Sequence, residues 1–195
     1  MRGARIERKT NETQIALTLG LDGSGRCSVN TGVGFLDHML AQLARHGLLD
    51  LELRASGDTQ VDFHHTVEDA GICLGQAVAR ALEGGSGIRR FGHAIAPMDE
   101  ALVLVALDIS GRGHAAVELG LGSGKIGDFD SDLVLEFMRA FAVNAGLTLH
   151  VRQLAGANAH HVAEAAFKGL ALALRDAIAL DPRQPGVPST KGALL

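Results

Sequence analysis

The amino-acid sequence predicts an α+β protein: two tandem copies of one strand-strand-helix-strand-helix unit, with helices packed on one face of mixed, largely antiparallel sheets. Three observations predict it. The segment "HHTVEDAGICLGQAVARAL" (64–82) aligns on "HHVAEAAFKGLALALRDAI" (160–178) at a spacing of 96 residues. His, His, Glu, Ala70/Ala166, Leu74/Leu170, Ala77/Ala173 and Ala81/Ala177 coincide, and a repeat of this kind sets the architecture. Both segments lack proline and carry apolar residues at helical spacing, so both predict amphipathic helices. Upstream of each lies a further helix-then-strand pattern, and each half opens on alternating, strand-like runs.

The elements follow in order. "ARIERKT", "TQIALTLGL" and "GRCSVNTG" alternate apolar with polar residues and are separated by turn residues such as "LDGSG". "FLDHMLAQLARHGLLDLEL" reads as a helix, a capping glycine at Gly47 and a strand; "LVLEFMRAFAVNAGLTLHV" repeats this with Gly146 as the cap. "ALVLVALDIS" and "HAAVELGL" supply the second half's strands. The boundary falls at the turn "EGGSGIRRFG", dividing residues 1–88 from 89–180 within one compact domain. The proline-rich tail 181–195, "DPRQPGVPSTKGALL", has no periodicity and predicts an extended segment.

Composition narrows the function. A formal net charge of -4 speaks against a general affinity for nucleic acid or an anionic membrane, and the absence of Trp and Tyr against a base-stacking surface. The two cysteines, Cys27 and Cys73, are too far apart for a zinc motif or a disulfide framework. The start "MRGARIERKTNE" lacks the apolar stretch of a signal peptide, and no apolar run approaches a membrane span. A reduced, cytoplasmic setting is expected. Glycines in "NTGVGF", "GSG" and "GRG" match no phosphate-loop pattern and predict tight turns.

The His-His pairs carry the chemistry. On a helix, residues four apart share a face and adjacent residues diverge. His64 and Glu68 therefore point together, as do His160 and Glu164, while His65 turns aside with Asp69. Each motif can give a His/Glu pair to one metal and a lone His to a second. Imidazole plus carboxylate without thiolate suits Mn, Fe, Zn or Ni. One such motif could be a matter of packing; two on equivalent helices are hard to explain that way, because buried, unpartnered polar groups cost several kcal/mol. Lys168 follows Glu164 by four residues, and a cation beside a metal site calls for an anion between them, such as a substrate phosphate.

Several strings, "RKTNET", "GVGFLDHML", "DFHHTVEDAG", "RRFGHAIAPMDEAL", "DISGRG", "LTLHVRQLAGANAHHVAEAAFKG" and "PSTKG", resemble the imidazoleglycerol-phosphate dehydratases of histidine biosynthesis, in their single-function form. The resemblance runs from Arg8 to Gly192. It implies a cytoplasmic lyase with two manganese ions per subunit at sites shared between subunits of a 24-subunit homo-oligomer. It also implies His38, His64, His65, Glu68, His160, His161 and Glu164 as metal ligands. The eighth family ligand, often His, aligns with Glu136 here, a carboxylate that manganese also accepts. Phosphate contacts fall on Arg90, Arg112, Lys168, Ser189 and Lys191, while Glu12, Gln42 and Asp99 face the substrate.

The implied reaction removes water from imidazole glycerol phosphate to give imidazole acetol phosphate. The proton lost lies on a carbon without an adjacent carbonyl, so the ring must supply the electron density. An imidazolate bound between two Mn ions can do so, with the metals as Lewis acids and template. Glu12, Asp99 and Glu164 are the candidate carboxylates for moving protons. Two other classes compete: a different dimetal enzyme such as a hydrolase, and a non-catalytic metal-storage protein, which would leave the basic residues unexplained.

Overall fold

The computed structural model describes residues 2–194. The first half runs β1 (Gly3–Lys9), β2 (Thr13–Gly20), β3 (Cys27–Asn30), α1 (Gly34–Gly47), β4 (Asp50–Gly57) and α2 (His64–Leu82). The second runs β5 (Phe91–Met98), β6 (Ala101–Ile109), β7 (His114–Glu118), the two-residue strands β8 (Lys125–Ile126) and β9 (Phe129–Asp130), α3 (Leu133–Ala145), β10 (Leu147–Ala155) and α4 (Ala159–Ile178). Each unit thus carries a third strand before its first helix.

The duplication is visible in the hydrogen bonding. The sheets have strand orders β1-β2-β4-β3 and β5-β6-β10-β7. In each, the first two pairings are antiparallel and the last is parallel. Alternation places one face of each sheet inward: β2 buries Thr13, Ile15, Leu17 and Leu19, and β6 buries Ala101, Val103, Val105, Leu107 and Ile109.

The helices fill the space against those inward faces. α2 packs on β1 and β2, and α4 on β5 and β6. The main helix–helix contacts cross between halves, α1 against α4 and α3 against α2. Gly71 and Gly75 permit the second crossing. A Cβ at Gly75 would sit 2.5 Å from the carbonyl oxygen of Phe141, and one at Gly71 3.0 Å from that of Phe137. Phe137, Phe141 and Phe167 are buried at the centre, and rings 137 and 167 lie 5.0 Å apart. Each such side chain contributes about 1.5–3 kcal/mol by leaving water.

Three local features differ from the sequence reading. Gly146 does cap α3 in the left-handed conformation (φ 65°), but in α1 Leu48 takes that role (φ 54°) and Gly47 remains the last helical residue. A Cβ at Gly47 would come within 3.1 Å of the Leu49 side chain, so the glycine makes room for Leu49. The tail is not extended: it runs through turns, with Asp181 N–H donating to Gly87 O (2.9 Å) and Gly87 N–H to Gly186 O (2.9 Å). Among the described residues, the β8–β9 hairpin has no counterpart in the first half. It carries Phe129, whose ring lies 5.0 Å from that of Phe35.

Candidate active site

The two His-His pairs occupy matching helix starts. The rings of His64 and His65 lie 6.0 Å apart at 86°, and those of His160 and His161 6.1 Å apart at 87°. Both first turns are held by a short polar side chain. His64 N–H donates to Asp62 Oδ1 (2.8 Å), while His160 and His161 N–H donate to Asn158 Oδ1 (2.9 and 3.4 Å). These bonds satisfy donors that a helix N-terminus otherwise leaves free.

Among the described residues, one group gathers metal-ligand atoms closely: His38, His160 and Glu164, each with a donor within 4.8 Å of the others. His38 Nε2 and His160 Nε2 each lie 3.3 Å from Glu164 Oε2. The carboxylate is buried (side chain 8% exposed), while the two imidazoles are nearly half exposed, so the trio opens outward. Phe35 stands edge-on to His160 at 5.3 Å, backed by Phe129. Lys168 Nζ donates to Glu164 Oε1 at 2.6 Å. The anion beside Lys168 in this chain is therefore Glu164 itself. Burial pushes the Glu164 carboxyl up, but the hydrogen bonds from Lys168 and His38 outweigh it and leave it below the usual range.

Among the described residues, the other expected ligands form no such close group. Glu136 lies on α3, which packs along α2, the helix of His64 and Glu68. This mirrors His38 on α1 packed along α4. Yet the Glu136 carboxylate accepts from Arg139 Nη1 at 2.9 Å, and no close group forms with His64 and Glu68. His65 and His161 stand apart from the trio as well. His65 Nδ1 lies 3.1 Å from Asp58, and its Nε2 lies 3.8 Å from Glu12. His161 Nδ1 lies 2.7 Å from Glu100, and its Nε2 lies 3.8 Å from Asp99. The hydrogen bonds that the two imidazoles donate to Asp58 and Glu100 raise both imidazole pKa values, and the bond with His161 brings Glu100 down to about 2.

Asp69 shares the side of α2 taken by His65, since its partner Thr13 is the neighbour of Glu12, which lies beside His65. It is buried, accepts from Arg8 Nε at 2.8 Å, and takes a further hydrogen bond from Thr13. The cation that neutralises it comes from β1, far from it in sequence. The sequence reading also passed over Asp58 and Glu100. Asp58 stands seven residues before His65, and Glu100 directly after Asp99.

The basic set is brought together in part. Arg90, Ser110, Arg112, Ser189, Thr190 and Lys191 line one recess of about 430 Å³. Asp108 binds Arg90 there, accepting at Nε (2.6 Å) and Nη2 (3.0 Å), while Arg90 Nη1 donates to Pro188 O (2.7 Å) and so holds the tail in place. Three cations and two serines around a cavity suit an anion with several oxygens. Lys168, Gln42 and Glu12 lie outside this recess; Gln42 bonds His46 Nε2 at 2.9 Å, one turn beyond His38. A larger recess of about 700 Å³ lies over the first sheet, where Arg26 and Asp50 neutralise one another.

Comparison with known proteins settles what kind of chain carries this arrangement. Residues 31–174 match the family model for imidazoleglycerol-phosphate dehydratase. The chain belongs to the imidazoleglycerol-phosphate dehydratase family. The member from Moorella thermoacetica is 62% identical over 99% of this chain and 98% of its own length. The one from Desulforamulus reducens is 58% identical over the same shares. Two solved structures superpose on the fold. The dehydratase from Staphylococcus aureus has a TM-score of 0.83 and 37% identity, covering 92% of this chain and 99% of its own. The Pyrococcus furiosus structure, in complex with (S)-C348, has a TM-score of 0.83 and 41% identity, covering 97% and 100%. Membership in this family makes the chain an enzyme of the hydro-lyase class.

Proposed function

We propose that this chain dehydrates imidazole glycerol phosphate to imidazole acetol phosphate in histidine biosynthesis, in the cytoplasm, using two manganese ions per subunit. The observation that carries the metal reading is the His38–His160–Glu164 trio. Two neutral imidazoles and a carboxylate form a donor set that manganese accepts. Three ligands fall short of an octahedral ion, and a lone histidine such as His65 from a neighbouring copy could complete the set. This favours sites shared within a homo-oligomer, for which 24 subunits is the family-based expectation. The arrangement of α2 and α3 supports a second site of His64, Glu68 and Glu136, completed by a His161 in the same way.

When bound, the two ions would act as Lewis acids on the substrate's imidazole ring and favour its imidazolate form. The chain's own residues do the rest. Arg112, Lys191 and Ser189 hold the phosphate, with Arg90 keeping the tail against the recess. Lys168 and Gln42 approach the substrate beside the first trio. Glu164 is already engaged, Oε1 by Lys168 and Oε2 by two histidines. Proton movement therefore falls to Glu12 and Asp99, whose exposed carboxylates sit beside His65 and His161.

A turnover assay with imidazole glycerol phosphate on manganese-reconstituted protein tests the reaction; no product from fully loaded protein would refute it. Chelation with sizing chromatography tests the sharing of sites, because metal and assembly are then linked by mass action. An unchanged particle, equally heat-stable with and without metal, would count against shared sites.

A further inference from the structure

We propose that Asp58 and Glu100 are positioning residues, which fix the rings of His65 and His161 so that Nε2 of each is the atom offered to a metal; this rests on the metal reading above. Each carboxylate meets Nδ1 of its histidine, at 3.1 Å for Asp58 and 2.7 Å for Glu100. A carboxylate only accepts at neutral pH, so the neutral ring carries its proton on Nδ1 and leaves the Nε2 lone pair free. Carboxylates in this position orient metal-binding imidazoles and raise their basicity.

The origin of the two carboxylates is the strongest support. Nearly everything else around the two histidines is copied between halves: the ring geometry, the helix start, and a carboxylate 3.8 Å from Nε2, from Glu12 in the β1–β2 turn and from Asp99 in the β5–β6 turn. The partners of Nδ1 are not copied. Asp58 lies just past the end of β4, and the 96-residue spacing puts Leu154 opposite it. Glu100 lies in the β5–β6 turn. The same hydrogen bond to the same atom is thus made from two non-equivalent places. Inheritance through the duplication does not account for that, whereas a shared requirement at Nδ1 does.

Both residues are themselves held, Glu100 by its carboxylate and Asp58 by its backbone. Glu100 accepts from the backbone N–H of Asn158 (3.0 Å), next to the His-His pair. Asp58 N–H donates to Glu12 O (3.1 Å), tying the His65 support to the loop that carries Glu12.

The test is a calorimetric titration of metal-free, full-length protein with manganese chloride, paired with thermal unfolding. The variants are Asp58→Ala, Glu100→Ala, Asp58→Asn and Glu100→Gln. The alanine variants should bind manganese about 10–100-fold more weakly, the loss typical of such supporting groups. The amide variants should recover most of the affinity, because an amide oxygen still accepts from Nδ1–H. Cobalt should report the same split through its visible spectrum, with the alanine variants altered and the amides close to wild type. Alanine variants that fold and bind like wild type overturn the proposal. So do amide variants as weak as alanine, since charge and not ring orientation would then be at work. Wild-type protein that binds no manganese overturns the metal reading, and this inference with it.

Discussion

Asn158 gives a direct way to ask whether the first turn of α4 must be preformed for metal to bind. Its side-chain oxygen accepts from the backbone N–H of His160 at 2.9 Å and of His161 at 3.4 Å. Asn158→Ala removes both acceptors from a solvent-exposed helix start. Loss of such a cap costs about 1 kcal/mol, within a range of roughly 0.5–2. For a chain of this length that lowers Tm by about 2–4 °C. If manganese must re-form the frayed turn to bind, the same energy appears as a loss of about fivefold in affinity, since ~1.4 kcal/mol is tenfold. Asn158→Asp keeps the acceptor and adds a negative charge at a helix N-terminus, worth about 0.3–1 kcal/mol, so it should restore both quantities. Calorimetric titration with manganese and differential scanning calorimetry on the three proteins decide it. An alanine variant with lowered Tm but wild-type affinity would refute the link between the cap and the metal site.

Four other outcomes are expected. Arg112→Ala and Lys191→Ala should each raise KM for the phosphate substrate with metal content unchanged; a charge-assisted contact is worth ~1.5–3 kcal/mol, and an unchanged KM in both would remove these residues from the phosphate site. Glu136→Gln should weaken manganese binding and Glu136→His restore it; equal affinity for wild type and the Gln variant would strike Glu136 from the ligand set. Gly92→Ala should destabilise the fold by about 1–3 kcal/mol or more in urea unfolding, because the new Cβ would lie 1.9 Å from the Ala173 carbonyl oxygen and force α4 off β5. Hydrogen bonding to Arg2 holds the Asp22 carboxyl below its ordinary range, so the pair adds stability above about pH 4 and loses it as pH falls through the folded-state value. The stability difference between wild type and Asp22→Asn should thus be small at pH 7, about 0–1 kcal/mol for a surface pair, and absent in acid, as read by thermal unfolding; a difference that persists in acid would contradict this origin.

Much of the fold was legible because duplication writes the same periodicity twice. The helices at 64–82 and 160–178 show in the spacing of Leu74 and Leu170 and of the alanines around them. The His-His-x-x-Glu pattern also showed that His160 and Glu164 share a face, and they do meet. What escaped depends on contacts between residues distant in the chain. Nothing local marks Arg8 as the partner of Asp69, or Glu100 as that of His161; the first pairing is made by strand β1 packed on α2, the second by the β5–β6 turn brought over the start of α4. The β8–β9 strands are two residues each, too short to alternate. Leu48 takes a left-handed conformation that a glycine would adopt more easily, while the neighbouring Gly47 makes room for the Leu49 side chain.

The crossing of α1 onto α4 and of α3 onto α2 means that each half completes its interior only with the other. A peptide of residues 1–88 would leave the sides of α1 and α2 that meet α4 and α3 facing water. Two such peptides, however, could cover each other by repeating the present crossings between separate molecules, as could a mixture of the 1–88 and 89–195 fragments. Gly87 is bonded to the tail, so the tether between the halves is Gly84–Ser86. A chain nicked there should remain associated, and one rejoined in the opposite order, second half first, has no packing reason to fail.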